Sequence, residues 1–343
     1  MKPPKLAPVR VSRDRIQRTI VGLRPFRPSG YVVRADKLGD KLLVHNYGHG
    51  GAGVTLSWGT AQLAADLIPP PSHGAAAIAV LGGGAVGLAT ARVLQARGRK
   101  VTIYARELSP GTTSDVAGAR WYPFDMFDHA VATPQFLDGL WKAARVAYQA
   151  FTALPAAEYG IFRWPTYCCR NTPLPPESLL AFDSPVHDLL PGLRDMAPAE
   201  RPFPFPLVRT FETMMIEPAI YLPALRRAFE QAGGNVVLRA FASAAEVAQL
   251  PERTIVNCTG LGAGALFGDA ELYPIKGQLT ILPPQPEVRY VALPPDLYMF
   301  PRKDGVLLGG TFQHRVWTME PDRVAEDRIL DAHARFFATL PPA

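Results

Sequence analysis

Six consecutive residues are the most ready for chemistry: Gly82-Gly83-Gly84-Ala85-Val86-Gly87. Their GxGxxG spacing suits a dinucleotide. Gly82 permits a tight turn, Gly84 lets backbone approach a pyrophosphate, and Gly87 allows a helix to pack closely on a strand. Ala85 and Val86 would open that helix, with the phosphates resting on its N-terminal amides. The same turn also occurs as plain structure in α/β proteins, so context decides its weight. An acidic residue about twenty positions on usually holds the ribose hydroxyls. Glu107 is the candidate, although Arg106 directly follows the strand. That arginine leaves open a 2′-phosphate partner or an adenine stacked beneath the guanidinium. Further on, Thr112, Thr113 and Ser114 lead through a small-residue turn to Gly118 and Trp121. A chain that must pass close to a cofactor has this character.

A second glycine cluster lies upstream. Gly48, Gly50, Gly51 and Gly53 punctuate HNYGHGGAGVT, whose Ala52, Val54 and Thr55 run into a helical pattern. His49 within it invites reading as a base, but a structural donor within the turn is the reading preferred. Cys168, Cys169 and Cys258 show no metal-ligand spacing and are too few for a disulfide framework. Free thiols in a reducing compartment are expected, and no metal.

These residues need elements to position them. A buried strand over Ile78–Leu81, a helix over Val86–Arg97 and a strand over Val101–Tyr104 form the first βαβ unit of a doubly wound sheet. The block before it, 1–67, ends in a strand (Lys41–Asn46) and a helix (Val54–Leu67). IPPPSHG then breaks the chain, because no helix or strand tolerates that proline run. Beyond about 135 the pattern is mixed. A helix is expected over Tyr221–Ala232, ended by Gly233 and Gly234. A strand at Thr254–Asn257, a hairpin-like pair at Tyr298–Arg302 and Val306–Gly310, and a helix over Asp327–Leu340 follow.

Composition narrows the function classes. The 343 residues are 48% hydrophobic and 19% charged, which is ordinary globular usage. The net charge of +6 is concentrated: residues 1–30 carry eight Lys or Arg against the single Asp14. They neither interleave with aromatics nor fall on a nucleic-acid module, so no nucleic-acid partner is expected. No apolar run approaches the ~20 residues that span a bilayer, and the N-terminus lacks a signal-peptide core. A cytoplasmic protein without membrane partners is the expectation.

The chain resembles the D-amino-acid oxidase family. The similar stretches are GGGAVGL, VTIYARELSPGTTSDVAGARW, VRTFETMMIEPAIYLPAL, IVNCTGLGAGAL, IKGQL, MFPRKDGVLLGGTF, GLRPFRP and HNYGHGGAGVTLSWG. In the family the last two lie near the C-terminus; here they come first, at Gly22–Pro28 and His45–Gly53. The resemblance therefore implies a circular permutant, with both junctions in loops. It implies an α/β fold: a Rossmann-like FAD-binding domain from 40–135 and 215–270, and an antiparallel-sheet substrate domain with helices from 1–39, 136–214 and 271–343.

The same resemblance implies non-covalent FAD, with adenine and pyrophosphate near Gly82–Glu107 and the flavin under the amides of Gly50 to Thr55. Arg24 would grip the substrate carboxylate, Tyr298 would hydrogen-bond it, and the Gly51 carbonyl would receive the ammonium. With the amine neutral on arrival or made neutral there, no general base is needed, because Cα–H leaves as hydride to flavin N5 and positioning carries the catalysis. The implied reaction converts a D-amino acid, oxygen and water to 2-oxo acid, ammonia and peroxide. Oligomeric state stays open, a homodimer included. So do a glycine oxidase-like or dehydrogenase activity, a nicotinamide enzyme, and a non-catalytic flavoprotein. Where the family often has a mobile second tyrosine, this chain reads Pro294-Pro295-Asp296. Arg120 or Arg302 is a candidate partner for a side-chain carboxylate, which would favour acidic substrates.

Overall fold

The computed structural model describes residues 2–70, 77–123, 126–175 and 178–340. Two sheets organise them. The first has six strands in the order β2-β3-β10-β4-β5-β9: β2 (Val32–Leu38), β3 (Lys41–Tyr47), β4 (Ile78–Leu81), β5 (Val101–Ala105), β9 (Asn235–Leu238) and β10 (Thr254–Asn257). All pairings are parallel except β2 with β3. Counting from β4, the run β9-β5-β4-β10 is the 3-2-1-4 order of a doubly wound nucleotide-binding sheet.

Every residue of β4 is buried, as a strand covered on both faces requires. One face packs against α1 (Gly53–Asp66), α2 (Ala85–Ala96), α3 (Pro134–Ala153) and α4 (Pro218–Gln231), which share one core with β3 and β4. The other face buries Leu43, Ala79, Leu81 and Ile255 beneath Val247 of α5 (Ala244–Ala248).

The second sheet has nine strands. Its order is β1 (Arg18–Phe26), β11 (Tyr273–Leu282), β14 (Gly305–Gly309), β13 (Tyr298–Arg302), β12 (Val291–Leu293), β6 (Ile161–Arg170), β8 (Leu207–Ile216) and β7 (Arg194–Asp195), with β15 (Gln313–His314) on β11. Its pairings are antiparallel except β12 with β6. A short α6 (Gly262–Phe267) precedes β11. The last helix, α7 (Arg323–Phe337), buries Ile329, Leu330, Phe336 and Phe337 against Met299, Val306 and Leu308 of the sheet, in a cluster that also holds Val9 and Leu340.

Most expected elements fall within a few residues of their expected bounds. α4 begins three residues early because Pro218 sits in its first turn, where no amide hydrogen is needed. α7 starts at Arg323 rather than Asp327, since the Asp322 side chain caps it by accepting from Ala325 N (3.0 Å). The turn at Gly39 folds β2 back antiparallel along β3, so 32–38 join the six-stranded sheet at its edge. Residues 71–74 of the IPPPSHG break lie outside the described residues. No helix among the described residues is long and apolar enough to cross a membrane.

Candidate active site

The glycine turn follows β4 directly. A Cβ at Gly87 would lie 2.0 Å from the Gly82 carbonyl oxygen, so only glycine lets α2 start this close to the turn. A Cβ at Gly84 would meet nothing within 4 Å except the Ser114 side chain, which leaves that face open to a ligand. No side chain caps α2 from Gly84. Ser114 Oγ accepts from Ala85 N at 3.0 Å, and the remaining first-turn amides near Val86 keep the positive end of the helix dipole. This cradle fits a pyrophosphate.

Around it, Thr112 donates from both N and Oγ1 to Asp115 (2.8 and 2.7 Å), closing the 3-10 turn Thr113–Val116 that presents Ser114. Thr113 is exposed. Beyond β5, Arg106 and Glu107 pair with each other at 2.6 Å on the surface.

From this turn the chain crosses to the second sheet. Val116 fills the space above Gly22 of β1, where a Cβ would lie 3.1 Å from it. Ala117 O accepts from Arg302 Nη1 (3.0 Å), and Gly118 leaves room for the Phe300 ring. Ala119 O accepts from Ile216 N (2.9 Å), and Trp121 N donates to Met214 O (2.7 Å). The Trp121 ring itself is buried against Tyr148, with centroids 5.0 Å apart, and serves the core.

The second glycine cluster meets the same place. Phe26 bridges His49, so the GLRPFRP strand runs beside HNYGHGG. Gly50–Ala52 form a 3-10 turn leading into Gly53, Val54 and the rest of α1, which no side chain caps. Gly50 and Ala52 are buried, whereas Gly51 is exposed. Thr55 turns inward, its hydroxyl 3.4 Å from the carbonyls of Arg120 and Tyr122. His49 is stacked on Tyr31 and lies 2.9 Å from Thr60 Oγ1. Burial pushes its pKa down to about 3, so it stays neutral and holds the turn.

Arg24 and Tyr298 come together although β11 and β14 separate their strands. Arg24 Nη2 donates to Tyr298 Oη at 3.4 Å, and Nη1 donates to Thr311 O at 3.3 Å. The guanidinium lies over Phe312, 4.7 Å from the ring centroid. Two glycines on the intervening strands make this meeting possible. A Cβ at Gly277 of β11 would sit 2.5 Å from Arg24 Nη2, and one at Gly309 of β14 would sit 2.1 Å from the Tyr298 ring. Sequence reasoning missed both. The available signal was a glycine inside a strand, which marks close approach.

Arg302 is committed elsewhere: its side chain, 3% exposed, pairs with Asp304 at 2.7 Å. Arg120 instead lies over Tyr122 (4.5 Å) and Phe300 (5.9 Å), and Phe300 stacks on Tyr298 with centroids 4.8 Å apart. All three cysteines are buried free thiols, and burial pushes the Cys258 pKa up to about 12. Among the described residues no group of His, Cys, Asp or Glu is arranged for a metal.

A doubly wound sheet with a glycine turn suited to a pyrophosphate is the architecture of a dinucleotide-dependent enzyme. The family model for FAD dependent oxidoreductases (DAO) matches residues 4–67 and 77–343, and the chain belongs to that family. A D-amino-acid oxidase of Streptomyces coelicolor is 35% identical over 251 residues, 71% of this chain and 72% of that protein. A D-aspartate oxidase of Homo sapiens is 31% identical over 74% of each chain. Glycine oxidase from Bacillus cereus shares the fold at a TM-score of 0.58 and 15% identity, over 77% of this chain and 80% of its own. The protein is an FAD-dependent oxidoreductase, α/β with a Rossmann-like cofactor sheet.

Proposed function

We propose that this chain oxidatively deaminates a D-amino acid to the 2-oxo acid, ammonia and hydrogen peroxide. The observation that carries the reading is the contact of Tyr298 with Arg24, on a strand whose Phe26 bridges His49, the residue before the Gly50–Ala52 turn. Arg24 presents two donors to a carboxylate, and the Tyr298 hydroxyl adds a third. The Gly51 carbonyl is an acceptor for the amine. FAD, held without a covalent link, would supply the hydride acceptor and the route of electrons to oxygen. The protein's part is to orient Cα–H of the neutral amine and to exclude other geometries; that hydrogen leaves as hydride, so no side chain need take it as a proton. The amides that open α1 would stabilise negative charge at the flavin's pyrimidine edge.

The division of labour follows the sheets: 40–135 and 215–270 hold the cofactor, and the remainder, apart from the β2 hairpin arm, holds the substrate. We read the chain as a circular permutant. Val9 and Leu340 lie in one hydrophobic cluster with α7, so a direct link between those ends replaces little structure.

Anaerobic absorbance spectra with mixed D-amino acids, and separately with mixed L-amino acids, test the reaction. Bleaching by the D-mixture alone is expected. A yellow protein that neither mixture reduces would overturn the reading. Arg120 beside Phe300 favours acidic substrates, with its cation placed to meet a side-chain carboxylate. Arg120→Leu is expected to lower kcat/KM for D-aspartate and D-glutamate by about tenfold relative to D-alanine, the scale of one lost charge-assisted contact. An unchanged ratio removes Arg120 from side-chain recognition.

A further inference from the structure

Helix α7 sends two side chains to the backbone that frames the carboxylate pair. His333, fully buried, places Nε2 3.2 Å from the carbonyl oxygen of Tyr298 and Nδ1 2.8 Å from that of Ile329. Five residues earlier on the helix, Arg328 Nη2 donates to the Gly310 carbonyl at 2.7 Å. Gly310 immediately precedes Thr311, whose own carbonyl accepts from Arg24. Helix α7 thus contacts the main chain of Tyr298 itself and, on the Arg24 side, the carbonyl one residue before the one Arg24 uses. Gly310 has φ +149°, and a Cβ there would lie 2.6 Å from Asp296 O, so this corner cannot be braced by a side chain of its own.

The imidazole is neutral, since burial pushes its pKa down to about 4 and Arg328 acts in the same direction. A neutral ring has one N–H for two carbonyls. Ile329 O lies one turn back in the same helix, where the His333 amide is its regular partner. Donation to Tyr298 O requires the ring proton on Nε2, which leaves Nδ1 facing Ile329 O.

We propose that His333, as the Nε2–H tautomer, and Arg328 are positioning residues that set Tyr298 and the Thr311 carbonyl for carboxylate binding. This rests on the reading of Arg24 and Tyr298 as the carboxylate site. Neither residue touches substrate; they act through main-chain carbonyls. Their loss should weaken ground-state and transition-state binding alike, which raises KM and spares kcat.

The test measures KM, kcat and the Kd of propionate, a non-reacting carboxylate read from its perturbation of the flavin spectrum. His333→Phe keeps a ring against Phe337 but removes the donor, and should raise KM and Kd about tenfold with kcat within about twofold, as one lost hydrogen bond predicts. His333→Gln, which restores a donor, should recover most of the affinity. Arg328→Met is measured in parallel and carries the test if His333→Phe does not fold; it should also raise KM and Kd while sparing kcat. Tyr298→Phe is the reference. If it weakens carboxylate binding while the α7 variants leave KM and Kd unchanged, or lower kcat equally, the positioning role is overturned and the site stands. If Tyr298→Phe has no effect either, the site reading falls and takes this inference with it.

Discussion

Replacing Arg24 with methionine should lower kcat/KM for the amino acid by about 10²–10⁴, because two charge-assisted hydrogen bonds of about 1.5–3 kcal/mol each are lost. The guanidinium is only partly buried, so solvent screening sets the lower end of that range. Most of the loss should appear in KM, since the carboxylate is bound before and during hydride loss. A smaller fall in kcat should follow from looser orientation of Cα–H. Arg24→Lys keeps the charge but not the planar fork and should recover about tenfold, within one contact's worth. Bound FAD should stay at the wild-type level in both. Steady-state kinetics on the purified holoproteins decide the matter, and an unchanged KM in Arg24→Met would place the carboxylate elsewhere.

Gly87→Ala should strip the protein of its cofactor. The added Cβ would sit 2.0 Å from the Gly82 carbonyl, and backbone on both sides leaves no flexible group to give way. α2 must move off the turn, taking its first-turn amides from the pyrophosphate. Overpacking of this kind costs about 1–3 kcal/mol, which weakens FAD binding by about 10–100-fold if it falls on the bound state. Gly139→Ala on α3 is the control, because its new Cβ would meet only the Tyr31 hydroxyl at an ordinary 3.7 Å. Flavin absorbance per mole of protein, followed by titration with FAD, measures both. Full flavin content in Gly87→Ala would mean that this turn does not cradle the cofactor.

Some of this was readable in the residues and some was not, for physical reasons. Short strands such as Ile78–Leu81, apolar throughout, and Thr254–Asn257, with its Ile-Val centre, stand out because they are buried and glycine or polar residues stop them sharply. The glycine turn was legible for the same local reason. α3 passed unnoticed, although Thr133 caps it and proline opens it. The long β6–β8 pair also went unread, because strand partners are chosen by tertiary contact and not by local pattern. Side-chain direction was the harder matter. Thr112 and Trp121 lie in the expected stretch, yet one hydroxyl closes a turn and the other ring fills the core. Gly277 and Gly309 matter through what they leave out, and only the neighbouring Arg24 and Tyr298 reveal that.

The pairing of β1 with β11 also has a cost in time. Arg18 lies opposite Ile281 and Phe26 opposite Tyr273, so β1 leaves the ribosome long before its neighbour exists. At about 5–20 residues per second the wait is roughly 10–50 s. Throughout it the nascent chain displays an unpaired edge carrying Val21, Leu23 and Phe26. β3 waits in the same way for β10, its parallel partner. Cells producing this protein must shield that early segment, and its yield should track chaperone supply more closely than the stability of the finished fold would suggest.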